Sequence, residues 1–122
     1  MDIRHRVVVF DASHMEPESA FWASVLGGTV EKDDTWHMVF VDGHPVIGVQ
    51  HAPDHEPPDW PDGKPQQQVH LDLWVDDYAT AHAEVMSLGA SLLQPTAVDG
   101  RERWAVYADP AGHPFCFCWI EE

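Results

Sequence analysis

Two short stretches carry side chains whose types and spacing could do chemistry. GHPFCFCW, residues 112 to 119, puts a histidine, two cysteines and a tryptophan within eight positions, a composition that suggests part of a metal site. VHLDLWV, residues 69 to 75, alternates as a strand does, so Leu71, Leu73 and Val75 take one face and His70, Asp72 and Trp74 the other. An imidazole, a carboxylate and an indole then share one surface, a combination suited to a planar, cationic ligand. The same parity sends Cys116 and Cys118 to one face and Phe115, Phe117 and Trp119 to the opposite one. Side chains two apart on a strand suit a disulfide poorly, so both cysteines read as free thiols of a reducing compartment.

The elements that must position these groups are written twice in the chain. RVVVFDA, residues 6 to 12, is a valine-rich strand followed by MEPESAFWASVLGG, in which Phe21, Val25 and Leu26 recur at helical spacing and the pair Gly27 and Gly28 ends the helix. VHLDLWVDD and YATAHAEVMSLGA repeat the pattern about sixty residues later, with Ala81, Val85 and Leu88 as the apolar face and Gly89 as the stop. Three further strands follow each helix: residues 28–31, 36–41 and 45–51 in the first half, and 90–93, 103–108 and 114–120 in the second. Each half is thus β-α-β-β-β, and the tripeptide GHP occurs at the turn entering the last strand of each. Glycine there supplies backbone freedom, and proline fits a strand's first residue because it need not donate to the ladder. His44 and His113 accordingly read as turn or surface residues.

Modules 1–52 and 68–122 are joined by a linker, residues 53–67, that holds five prolines and almost no aliphatic residue. Long loops without secondary structure are uncommon in compact domains. Trp60 within it is either an aromatic lid over a pocket or a residue packed on the outside of the sheet. The whole, 122 residues with 44% hydrophobic content and six tryptophans, is read as a single domain. Twenty-one acidic residues against six basic ones give a formal net charge of -15, which repels phosphate backbones and excludes nucleic acid as a partner class. No stretch has the length of a signal peptide's apolar region or a membrane helix, so a soluble, cytoplasmic protein without membrane partners is expected.

The order VFDAS, ESAFWASVLGG, PPDWPD, QQQVHLDL and DPAGHPFCFC resembles the glyoxalase, bleomycin-resistance and extradiol-dioxygenase superfamily, the vicinal oxygen chelate proteins, and within it the glyoxalase-like group. The resemblance implies an α+β fold of two βαβββ modules forming a curved mixed sheet around a cavity, with the helices outside. It also implies a homodimer, since members commonly pair. Where members use metal, they place ligands on the first and last strands of each module. Of those positions His70 matches. The equivalent position in the first module is Val7, His5 lying at a different level of the strand. The glutamate position of the last strand is Cys116, and its partner is Ile47, or Gly48 with a one-residue slip that would turn Gln50 inward.

One histidine, one thiol and an amide make a poor metal site, so neither metal nor other cofactor is expected. Strand parity then lines the implied cavity with Val7, Val9 and Asp11, with His70, Asp72 and Trp74, and with Cys116 and Cys118; Trp36 and Trp104 are candidate walls. The ligand-binding set is His70, Asp72, Trp74, Asp11, Gln50, Trp36, Trp104 and Cys116. Two functions remain open. One is a metal-independent binding protein that holds an aromatic or cationic small molecule, similar to the antibiotic-sequestering members. The other is an enzyme of isomerase, lyase or oxygenase type, with His70 as general acid or base oriented by Asp72, or with Cys116 as nucleophile. Against both stands a filled core in which His70 and Asp72 satisfy one another.

Overall fold

A computed structural model describes all 122 residues, which divide into two compact units, Met1–His55 and Glu56–Glu122. In the first unit, strand β1 (Val8–Ala12) leads into helix α1 (Met15–Leu26), then β2 (Thr29–Lys32), β3 (Trp36–Val41) and β4 (His44–His51). The strands form a mixed sheet in the order β1-β4-β3-β2, with β1 parallel to β4 and the other neighbours antiparallel. The second unit repeats the plan with β5 (Leu71–Trp74), α2 (Tyr78–Ser87), β6 (Ser91–Asp99), β7 (Glu102–Ala108) and β8 (Pro114–Ile120), ordered β5-β8-β7-β6 with β5 parallel to β8. The fold is α+β, built from two βαβββ modules, each with its own four-stranded sheet.

The turns follow from the sequence punctuation. Asp42 and Gly43 both have positive φ (50° and 79°), the signature of the tight turn that Asp-Gly favours between antiparallel strands. The corresponding turn before β8 is wider and is organised by Asp109, whose carboxylate accepts hydrogen bonds from the amides of Ala111 and His113. Helix α1 stops at Gly27 in the left-handed conformation. The largest departure from the sequence expectation is β6, which runs on from the expected residues 90–93 to Asp99 and includes Pro95. It is the edge strand, where a missing amide donor is tolerated, and its register against β7 shifts twice along its length.

Alternation sorts each sheet into a helix side and an open side. In the first unit Phe10, Ala12, His37, Val39, Ile47 and Val49 are buried with the inner face of α1. That face is turned further than Phe21, Val25 and Leu26 alone imply. Trp22 is fully buried and stacks on Phe10 at 5.4 Å, while Val25 and Leu26 are half-buried. One polar contact ties the helix to the sheet, Ser19 Oγ lying 2.8 Å from His37 Nδ1, and within the helix Trp22 Nε1 donates to the buried Glu18 at 3.3 Å.

Helix α2 buries only Val85 completely, so its attachment depends more on specific polar and aromatic contacts. Its N-cap, Asp77, accepts from the amide and hydroxyl of Thr80, and these bonds hold the Asp77 carboxyl below its ordinary range. Tyr78 stacks flat on Trp119 at 3.8 Å. The fully buried Tyr107 of β7 has its hydroxyl 2.7 Å from both Tyr78 Oη and His82 Nδ1. Desolvation, and then the hydrogen bond with Tyr78, push the Tyr107 phenol well above its ordinary range, so it serves as a neutral link between helix and sheet. Tyr107→Phe is expected to lower the unfolding free energy by about 0.5–1.5 kcal/mol, because it removes a hydroxyl bonded to the half-buried Tyr78 and His82, which still lie 3.4 Å apart. Urea denaturation should show this as a lower midpoint with an unchanged slope.

Candidate functional site

The open side of the second unit gathers most of the groups singled out in the sequence. In the parallel pairing of β5 with β8, Asp72 lies opposite Cys116 and Trp74 opposite Cys118. On the far side of β8, Val106 and Trp104 of β7 pair with Cys116 and Cys118. One face therefore carries Asp72, Trp74, Cys116, Cys118, Trp104 and Val106, while Leu71, Leu73, Phe115, Phe117, Ala105 and Tyr107 take the helix side. His70, one residue before β5, brings its Nε2 to 3.3 Å from Asp72 Oδ1.

These groups differ sharply in exposure. The side chains of His70 and Asp72 are 41% and 51% exposed, so the pair is not enclosed in a filled core. Cys116 and Cys118 are buried with Val106 into a small apolar floor, and Trp60 and Trp104 pack against it. Of the two places open to Trp60 from sequence, the structure thus gives it the side opposite α2. A cleft of about 230 Å³ lies here, lined by His70, Asp72, Trp74, Trp104, Cys116 and Cys118 together with Glu102 and Arg103. The Arg103 guanidinium is engaged by the carbonyls of Gly100 and Glu102.

The thiols are held in their neutral form. Burial, followed by the nearby Asp72 charge, pushes Cys116 up to about 12. Burial and the charges of Asp72 and Glu102 push Cys118 up to about 11. A nucleophilic cysteine needs the reverse, a thiolate stabilised by a cation or a helix N-terminus. The surroundings of Cys116 hold neither feature, and His70 has the Asp72 carboxylate beside it.

Asp11, Gln50 and Trp36 fall in the first unit, where Gln50 pairs with Asp11 on one side and Trp36 on the other. The register also decides between Ile47 and Gly48. Ile47 pairs with Val8 and is buried on the helix side, whereas Gly48 pairs with Val9 and Met38 on the open side. Gly48 is required there, since a Cβ would come within 2.5 Å of the Trp36 ring lying across it. Asp11 and Gln50 are exposed and Trp36 half-exposed.

A larger depression, about 600 Å³, lies at the start of α1 among His14, Glu16, Asp33, Asp34, His37 and His51. Three of its polar groups are engaged by residues outside it. His37 pairs with Ser19, Glu16 accepts from Lys32 at 2.7 Å, and Asp33 accepts from the amides of Thr35 and Trp36. The smaller cleft of the second unit is the one that gathers the groups singled out in the sequence.

With this geometry in view, the relatives are informative. The glyoxalase-like domain family model matches residues 7–118, and the chain belongs to that family, within the vicinal oxygen chelate superfamily. Solved structures share the fold at low identity. A glyoxalase/bleomycin resistance protein/dioxygenase family enzyme from Burkholderia phytofirmans is 17% identical with a TM-score of 0.70, covering 93% of this chain and 96% of its own. A glyoxalase/dioxygenase from Nostoc punctiforme is 16% identical with a TM-score of 0.71, over 98% and 92% of the two chains. The fosfomycin resistance protein FosX from Listeria monocytogenes is 12% identical with a TM-score of 0.70, over 98% and 94%. No curated protein matches the sequence.

The donor set implied by the superfamily's metal enzymes does not fit this chain. Val7 and Ile47 or Gly48 offer no donor atom, and a thiol stands where a carboxylate would be needed. Asp72, already in the expected set, lies beside both His70 and Cys116, a juxtaposition set by the long-range β5/β8 register and not readable from spacing.

The neutral thiols lead to a pH prediction. Below the ordinary thiol range both folded and unfolded chains are protonated and the stabilising difference is fully present. As the pH rises from about 8.5 toward 12, the unfolded chain ionises first and stability falls. Cys116→Ser should flatten this alkaline loss, measured by urea unfolding of both proteins across that range. At neutral pH the wild-type thiols should react slowly with iodoacetamide, and Asp72→Asn should speed the reaction at Cys116.

Proposed function

We propose that the protein is a small-molecule-binding module that holds an aromatic or cationic ligand on the open face of its second unit without a resident metal. The observation that carries this reading is the pairing of an exposed, hydrogen-bond-capable couple, His70 and Asp72, with a dry floor flanked by Trp60 and Trp104. An indole face attracts a cation, and the Asp72 carboxylate accepts a hydrogen bond from it. At about 230 Å³ the cleft is below the roughly 300–1,000 Å³ of drug-sized sites, which suits a single charged ring or the head of a larger molecule. Structural relatives include a fosfomycin resistance protein, which makes small molecules the class to screen.

A second reading has one specific support. The 3.3 Å contact between His70 Nε2 and Asp72 Oδ1 puts a carboxylate beside a candidate general acid or base, which supports an enzyme of isomerase, lyase or oxygenase type using His70. In both readings the protein works in the cytoplasm as a homodimer. The exposed Leu92, Leu93 and Val98 of β6 offer apolar surface for association. Sedimentation at micromolar concentration should give twice the monomer mass; a monomer would contradict the pairing.

The binding reading is tested with Asp72→Asn. An aromatic amine or amidine should quench tryptophan fluorescence of the wild type saturably. The variant should bind about ten- to a hundredfold more weakly, the equivalent of about 1.5–3 kcal/mol for a lost charge-assisted hydrogen bond, with its melting temperature nearly unchanged. A melting-temperature loss with no saturable ligand in a broad cationic library would overturn it. Turnover of a candidate substrate that His70→Ala abolishes would favour the enzyme.

A further inference from the structure

The apolar floor of Val106, Cys116 and Cys118 extends beyond the cleft above it. Cys116, Cys118 and Trp104 line the cleft, whereas Val106 and Trp60, which belong to the same packed cluster, do not. The Val106 end of the floor is therefore covered, and the indole that covers it comes from the linker. Residues 59–66 close on themselves. The Asp59 amide donates to the Pro65 carbonyl at 2.8 Å, Asp59 bridges to Gln66, and the Asp59 side chain lies against Gly63, whose φ of 143° makes the bend. Just before the loop, Pro57 sits so tightly on Gly112, in the turn entering β8, that a Cβ there would run into it. The entry to the loop is thus fixed and its tip carries Trp60.

We propose that the Val106 end of the floor is a second subsite, for a flat aromatic group, and that the 59–66 loop keeps Trp60 there as a resident occupant which such a group displaces. The charged end of the ligand, held at Asp72, rests on the binding reading above; the displaceable indole does not. Three features make the cover removable. The backbone bonds that close the loop run between its own ends, so lifting it breaks no sheet ladder. Trp60 is half-buried, not enclosed. Just after the loop, Gln67 holds its Oε1 buried without a hydrogen-bond donor, a standing cost that contact with water removes when the loop lifts. The floor of valine and neutral thiols asks for an uncharged planar ring, and the indole now on it shows the fit. The ligand class is accordingly an extended aromatic cation, with its charge beside Asp72 and a second ring over Val106. A single-ring cation uses the cleft as it stands, whereas the longer ligand binds only the open loop, so its affinity falls by the fraction of time the loop is open.

Fluorine NMR of the full chain labelled with fluorotryptophan tests this in the wild type, the Trp60 resonance being assigned by its loss in Trp60→Phe. Without ligand, Trp60 should show exchange broadening on the microsecond-to-millisecond scale, and the fully buried Trp22 should not. A biphenyl amidine should move the Trp60 resonance to its water-exposed position, read from the solvent-isotope shift, and benzamidine should leave it in place. In titrations, Trp60→Ala should bind the biphenyl amidine at least about tenfold tighter than the wild type, as expected for an open state populated at about 10% or less, and benzamidine within about twofold. Free indole, which needs no carboxylate, should bind Trp60→Ala saturably. Had Trp60 been a wall that grips the ligand, Trp60→Ala would weaken both amidines, and that result overturns the proposal. So does a Trp60 resonance as sharp as that of Trp22, or a Trp60→Ala protein that takes no indole. If neither amidine binds either protein while indole fills the variant and Trp60 exchanges in the wild type, the binding reading falls and the subsite stands. If benzamidine binds and Trp60 stays still, the subsite alone falls.

Discussion

The parallel pairing of β5 with β8 is the constraint on which the second unit's chemistry depends. Asp72 and Cys116 are separated by more than forty residues of sequence, and only the ladder register sets them opposite one another. A slip of one residue would turn every side chain of β5 to the other face, taking Asp72 into the apolar layer beneath α2 and exposing Leu71 and Leu73. That alternative is closed by the apolar set itself, since Phe115, Phe117 and Tyr107 already pack around the helix side. The polar face is thus positioned by residues that never touch it. Burial does most to keep the thiols neutral, and the same register adds the Asp72 charge beside them.

The first unit shows the same frame with different contents. Its parallel pair, β1 with β4, sets Asp11 beside Gln50, and the neighbouring Trp36 lies across Gly48. Its helix is anchored by a serine–histidine contact and a buried stacked tryptophan. In the second unit the anchor is a tyrosine–tyrosine–histidine cluster. The two modules share a backbone plan, while each keeps its helix in place by its own polar contacts.

Much of this was legible in the chain because it rests on local rules. Period-two alternation in VHLDLWV and PFCFCWI assigned faces, helical spacing assigned α1 and α2, and the Asp42-Gly43 turn fixed the hairpin between β3 and β4. What escaped was set by long-range contact. Trp22 rather than Val25 fills the space beneath α1, because the partner it stacks on, Phe10, lies on another element. Ile47 and Gly48 could not be told apart until Val8 and Val9 supplied their partners. Asp72 was visible as a residue but not as a neighbour of Cys116. The length of β6 was hidden by Pro95, which reads as a strand terminator unless the strand is known to lie at an edge.

That edge has a consequence for how copies of the chain meet. A strand can recruit another only if its outward amides and carbonyls keep a regular repeat. Along β6 the repeat is broken by two register shifts, and Pro95 has no amide hydrogen to offer. An incoming strand would find matching partners for a few residues and then lose phase, so templated, fibril-like growth from this side is blocked even though Leu92, Leu93 and Val98 are exposed along it. Whatever association those side chains support must proceed by packing of surfaces, and it ends when the apolar area is covered.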